Sequence, residues 1–209
     1  GGYHHHIGLN TWMSKGGSPP PRGATGLFHV AIVYPTRAAL AVAVRRVLAV
    51  GVALDGASDH GVSEAVYLSD PDGLGIEIYR DRPREDWRTR NGQLLMATDP
   101  LDLNSLLNEP GAEIPWDGLE AGTVMGHVHL HVPALDTAES FYCGQVGFEP
   151  TVRGYPGALF VAAGGYHHHL GMNTWAGAGA PPRPPPACST ATGDDEASPT
   201  MSASPAARA

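Results

Sequence analysis

Histidine and one glutamate carry most of the chemistry that this sequence offers. All eleven histidines except His60 fall in four short segments: YHHHIG (3–8), FHVAI (28–32), GHVHLHV (126–132) and YHHHLG (166–171). Each reads as a strand, where alternate side chains face opposite ways. His29, Ala31 and Val33 then share one face, against Val30, Ile32 and Tyr34 on the other. His127, His129 and His131 share a face opposite Val128, Leu130 and Val132. In LGIEIYRD (74–81), Ile76 and Ile78 pack one way while Glu77 and Tyr79 point the other. Imidazoles and a carboxylate on one sheet face form the ligand set of a divalent first-row metal, and two His plus one carboxylate with open positions suit non-haem Fe(II). A lone inward His is more often a satisfied core residue than a ligand. The concentration in four motifs shifts that balance toward ligands.

The elements that would position these groups are written twice. Residues 1–12 (GGYHHHIGLNTW) and 164–175 (GGYHHHLGMNTW) differ only at Ile7/Leu170 and Leu9/Met172. A purification tag would not recur deep in the chain, so this is a duplicated supersecondary unit. The strand at GLFHVAIVY leads into a helical stretch at 36–50, then GVALDG, VSEAVYLSD and LGIEIYRD. The strand at GHVHLHV leads into a second helical stretch at 134–145, then GFEPTVR, ALFVAAG and YHHHLGMNTW. Asp70-Pro71-Asp72-Gly73 is a turn joining two strands of the first unit. The expected organisation is therefore an α+β fold of repeated βαβββ modules, pairing into a cup-shaped mixed sheet with helices outside. One complete module covers 26–82 and another 125–175. Residues 1–12 would be the last strand of an incomplete module. Residues 83–124 form a connector with a short helix near LDLNSLLNE, and the Pro/Ala/Ser-rich tail 176–209 should be disordered.

Bulk properties narrow the partners. With 42 % apolar and 16 % charged residues, the chain can bury a sizeable core. A net charge of −8 argues against nucleic acid or an anionic membrane surface as partner. No apolar run is long enough to span a bilayer. The chain starts Gly1-Gly2-Tyr3, which suggests processing or a fragment, and Cys143 and Cys188 suggest no disulfide framework. A cytoplasmic location is the default expectation.

The His-Val-x-Leu/Ile opening strands and the DPDGLGIEIY ending resemble the vicinal-oxygen-chelate module. Glyoxalase I, bleomycin-resistance proteins and extradiol dioxygenases share that module, and two modules pair into a cup holding a metal. The resemblance covers residues 1–175, and its finer matches favour an extradiol dioxygenase of the catechol 2,3-dioxygenase kind. It implies His29 and Glu77 as metal ligands. It also implies the middle His of each YHHH, His5 and His168, as the proton-transfer residue beside the metal. Tyr67, ten residues before Glu77, matches an active-site tyrosine, and His60 matches a histidine near it at unusual spacing. The remaining ligand would be His127, if 125–175 packs against 26–82 across a pseudo-twofold; a site shared between chains is the alternative. The implied cofactor is Fe(II), with Mn(II) or another divalent metal as alternatives, and the implied substrates are a small aromatic diol and O2. A homo-oligomer is compatible with this family. Two other readings stand beside it: a non-catalytic small-molecule-sequestering protein or inactive fragment, and a glyoxalase-like isomerase or lyase. The last needs a carboxylate at the place of Gly8 or Gly171, where neither glycine can ligate.

Overall fold

The computed structural model describes residues 3–182 except 13 and 22. Its first βαβββ unit consists of β1 (Gly26–Tyr34), α1 (Arg37–Ala49), β2 (Gly56–Asp59), β3 (Ser63–Ser69) and β4 (Gly75–Asp81). A connector follows with β5 (Thr89–Arg90), β6 (Gln93–Leu94), β7 (Asp99–Pro100) and α2 (Leu103–Leu107). The second unit consists of β8 (Val124–His131), α3 (Leu135–Phe141), β9 (Glu149–Val152), β10 (Ala158–Ala162) and β11 (Leu170–Asn173). One curled mixed sheet runs in the order β7-β2-β3-β4-β1-β8-β11-β10-β9. The two units meet at β1 and β8, which pair antiparallel. Each opening strand also pairs parallel with the closing strand of its own unit, β1 with β4 and β8 with β11.

Local chemistry accounts for these elements. Thr36 is extended, and its hydroxyl accepts from the Ala39 N–H at 3.0 Å, capping α1 at its start. Ala39, Leu40, Ala43 and Val44 then line one helix face and bury against Tyr34, Val66, Leu68 and Ile78. In the second unit Ala138 of α3 packs with Leu159, Val161 and Met172. The helices thus cover the purely apolar face of the sheet and leave the histidine-bearing face concave. The hairpin between β3 and β4 is set by Asp70, whose Oδ1 accepts from the Asp72 and Leu74 N–H groups at 2.9 and 2.8 Å. Gly73 there has φ +82°, a conformation glycine adopts freely. The connector closes one end of the concavity, with Leu94 and Met96 packed on Val152, Ala158 and Phe160.

Two segments differ from expectation. Residues 3–12 form no strand, and His4, His5 and His6 are exposed. The physical reason is occupancy. The place beside β8 that this motif takes is filled by the second copy, as β11, and β4 fills the equivalent place beside β1. The second copy reaches that place through a short connection from β10, so closing it costs less chain entropy. Of the expected tail, residues 183–209 lie outside the described residues. Residues 176–182 dock where the two units meet: the Gly179 N–H donates to the Pro133 carbonyl at 2.9 Å in the second unit, and the Thr25 N–H, just before β1, to the Pro181 carbonyl at 3.0 Å. Among the described residues no helix is long and apolar enough to cross a membrane.

Candidate metal centre

Strand register decides which side chains meet. Ala31 of β1 pairs with Glu77 of β4 on one side and with His127 of β8 on the other. All three face the concave side, and the small Ala31 side chain lets the carboxylate and the imidazole meet across it. His29 lies two residues earlier on the same face. Its Nε2 is 3.0 Å from Glu77 Oε2, and His127 Nε2 is 3.2 Å from the same oxygen. One donor atom from each of His29, Glu77 and His127 falls within 4.8 Å of the others, and all three residues are buried.

Two observations test whether a divalent metal suits this cluster. His29 Nε2 is buried yet aligned for no hydrogen bond, an expensive state for a polar atom unless something else takes its lone pair. The donor set itself, two imidazoles and one carboxylate, is that of first-row divalent ions. The electrostatics agree. Burial pushes the His127 imidazole toward its neutral, metal-binding form. Burial alone would raise the Glu77 carboxyl. The neighbouring His127 and His29 override it and hold Glu77 well below the usual carboxylate range, so it remains an anion.

Tyr67 pairs across β3 with Glu77, and its ring lies 5.8 Å from that of His29. His60 donates from Nδ1 to the Ala97 carbonyl at 2.7 Å, which leaves Nε2 to accept the Tyr67 hydroxyl at 2.6 Å. Burial, reinforced by Glu77, pushes the Tyr67 phenol well above its ordinary range, so it keeps its proton. His168 stacks on His127, with ring centroids 4.1 Å apart, and has Phe160 on another side at 4.9 Å. Burial pushes His168 well below the ordinary imidazole range, so it too is neutral. Of the residues singled out from sequence, the fold thus gathers His29, Glu77, His127, Tyr67, His60 and His168. His5 is the exception: it is exposed on residues 3–12, away from this cluster.

No family model matches the chain. The curated protein named catechol-2,3-dioxygenase of Bacillus subtilis is 51 % identical over 168 residues, covering 79 % of this chain. That identity runs through a sequence folded as two paired βαβββ modules around a shared cluster of histidines and a carboxylate. The chain is thus similar to that dioxygenase over most of its own length. It spans 58 % of the length of the Bacillus subtilis relative. Among solved structures, methylmalonyl-CoA epimerase from Mycobacterium tuberculosis is 16 % identical, with a TM-score of 0.40 over 80 % of this chain and 91 % of that one. A Bacillus subtilis structure is 15 % identical, with a TM-score of 0.45 over 73 % of this chain and 41 % of that one. Superpositions this loose add no weight to the strand order, which stands by itself.

The place in β11 that mirrors Glu77 in β4 is Gly171. A Cβ added there would meet the His129 ring at 3.0 Å, so the histidine lies where a second carboxylate would have to start. His129 is in turn held by Asn173, whose Nδ2 donates to His129 Nε2 at 2.9 Å while its Oδ1 accepts from His131 Nδ1 at 2.7 Å. Burial pushes His129 well below the ordinary imidazole range. Sequence reading overlooked Asn173 and the partners of His168. The Asn-Thr-Trp shared by both repeat copies was the available signal. In each copy the asparagine accepts from the tryptophan N–H two residues on, at 3.2 Å for Asn10 and 3.0 Å for Asn173. Only the second copy has histidines to hold.

Proposed function

We propose that this chain carries the metal-binding part of an extradiol ring-cleaving dioxygenase acting on catechol-type diols. The observation that supports it best is the convergence of His29, Glu77 and His127 with glycine, not carboxylate, at the fourth symmetric place. His29, Glu77 and His127 would hold Fe(II), or Mn(II) in its stead. When bound, such a metal supplies adjacent positions for the two substrate oxygens and for O2. The protein's own part is positioning and proton handling. Two neutral imidazoles and one carboxylate leave a divalent site net positive, which favours a deprotonated diol oxygen. His168, neutral and stacked against His127, accepts a proton from the diol. Tyr67 stays protonated and is oriented by His60, so it offers a fixed hydroxyl at the edge of the centre. The glyoxalase-like reading asks for a fourth protein ligand, and His129 over Gly171 works against it.

Loading the protein with Fe(II) without air, then adding catechol and oxygen, is expected to give a yellow ring-opened product. Iron bound in stoichiometric amount with no product, alongside tight binding of an apolar ligand, would replace this reading with the sequestering one.

A further inference from the structure

A second run of polar groups leads from the rim of the concave face to His168. His167 is fully buried, and its Nε2 lies 2.8 Å from Asp81 Oδ1. Its Nδ1 lies 2.7 Å from His168 Nδ1. The Asp81 carboxylate also accepts the Tyr166 hydroxyl at 2.9 Å. Tyr166 in turn accepts the Tyr79 hydroxyl at 2.8 Å. With both imidazoles neutral, as at the pH of the test below, these bonds have one consistent set of directions. A carboxylate only accepts, so His167 carries its proton on Nε2. A neutral imidazole has one N–H, which leaves His167 Nδ1 as a bare lone pair. The 2.7 Å contact is then a hydrogen bond only if His168 donates from Nδ1. His168 Nε2 is left without a proton, and it makes no hydrogen bond among the described residues.

We propose that Asp81 and His167 are positioning residues that fix His168 as its Nδ1–H tautomer, leaving Nε2 free to accept a proton from a substrate hydroxyl. The use of that nitrogen rests on the dioxygenase reading; the tautomer does not. The chain contains its own contrast. In the first repeat copy His4 Nδ1 and His5 Nδ1 lie 2.8 Å apart, but the pair is exposed and has no carboxylate against it among the described residues. Two adjacent imidazoles alone set no direction. The carboxylate does, as it does for histidines whose second nitrogen is anchored elsewhere.

The test is nitrogen NMR of metal-free protein labelled with 15N-histidine, at about pH 8, where imidazoles are ordinarily neutral. His168→Gln assigns the signals. His168 should show a protonated Nδ1 and a bare Nε2. Asp81→Ala should abolish this single tautomer, giving averaged shifts for both rings. Asp81→Asn keeps one acceptor oxygen and should preserve the wild-type pattern. A protonated His168 Nε2 in the wild type overturns the proposal, as does an unchanged tautomer in Asp81→Ala or equal loss in both variants. In iron-loaded protein Asp81→Ala should lower kcat about 10–100-fold with iron content and KM little changed. Normal kcat with an altered tautomer would overturn the role given to Nε2 and leave the dioxygenase reading standing.

Discussion

Replacing Glu77 by alanine is expected to strip the protein of metal and of ring-cleaving activity together. Glu77 supplies the only carboxylate in the cluster, and both imidazoles approach the same oxygen, at 3.0 and 3.2 Å. Without it, two neutral donors remain, and a divalent cation loses its one charged partner. Losing a mere neighbour of a ligand costs roughly 10–100-fold in metal affinity, so loss of this ligand should cost more. The fold should survive. Glu77 sits on the concave face, apart from the helix-covered core, and removing an ion from a buried site also removes its desolvation cost. Metal titration and circular dichroism of the same sample separate the two effects. An alanine variant that keeps full iron and full activity would end the assignment of this site. His168→Ala should differ, retaining iron while slowing turnover, because His168 lies against a proposed ligand without belonging to the cluster.

Gly75→Ala should damage the centre from outside it. A Cβ at Gly75 would lie 2.7 Å from the Phe28 carbonyl oxygen and 2.9 Å from His29 Cβ. Backbone atoms cannot swing aside, so β4 and β1 must separate there. Those two strands carry Glu77 and His29. The expected result is a stability loss of about 1–3 kcal/mol from overpacking, read by urea unfolding, together with weaker metal binding. Gly56→Ala is the matched control on β2. It has nothing within 4 Å of the added carbon and should stay within about 0.5 kcal/mol of wild type. Equal behaviour of the two variants would show that the close approach at Gly75 does not position the site.

Much of this arrangement was legible before any coordinates. The period-two alternation in FHVAIVY, GHVHLHV and GIEIY assigned His29, His127 and Glu77 to the inward face, because a pleated strand leaves no other choice. The helical stretch read at 36–50 is α1, Arg37–Ala49. The same alternation misled at YHHH. Residues 166–169 bend before β11 begins at Leu170, so the pleat is broken and adjacent His167 and His168 are both buried. Strand periodicity would have sent them to opposite faces. Residues 3–12 show the complementary limit. Their sequence matches a strand almost residue for residue, yet a strand exists only where a partner backbone is free, and β11 already holds the place beside β8. The contacts of Asp81 with His167, Asn173 with His129, and His60 with Ala97 join residues far apart in the chain. Nothing in local pattern announces such pairs; they follow from the register of the assembled sheet.

The most direct measurement of the central claim is the position of the metal itself. Crystals soaked with Fe(II) under anaerobic conditions would be measured at the iron absorption edge, and an anomalous difference map calculated. The predicted result is one strong peak within about 2.0–2.2 Å, the ordinary range for imidazole and carboxylate ligands, of His29 Nε2, His127 Nε2 and a Glu77 oxygen. A peak on His4, His5 and His6, on His131, or nowhere on the concave face would contradict it.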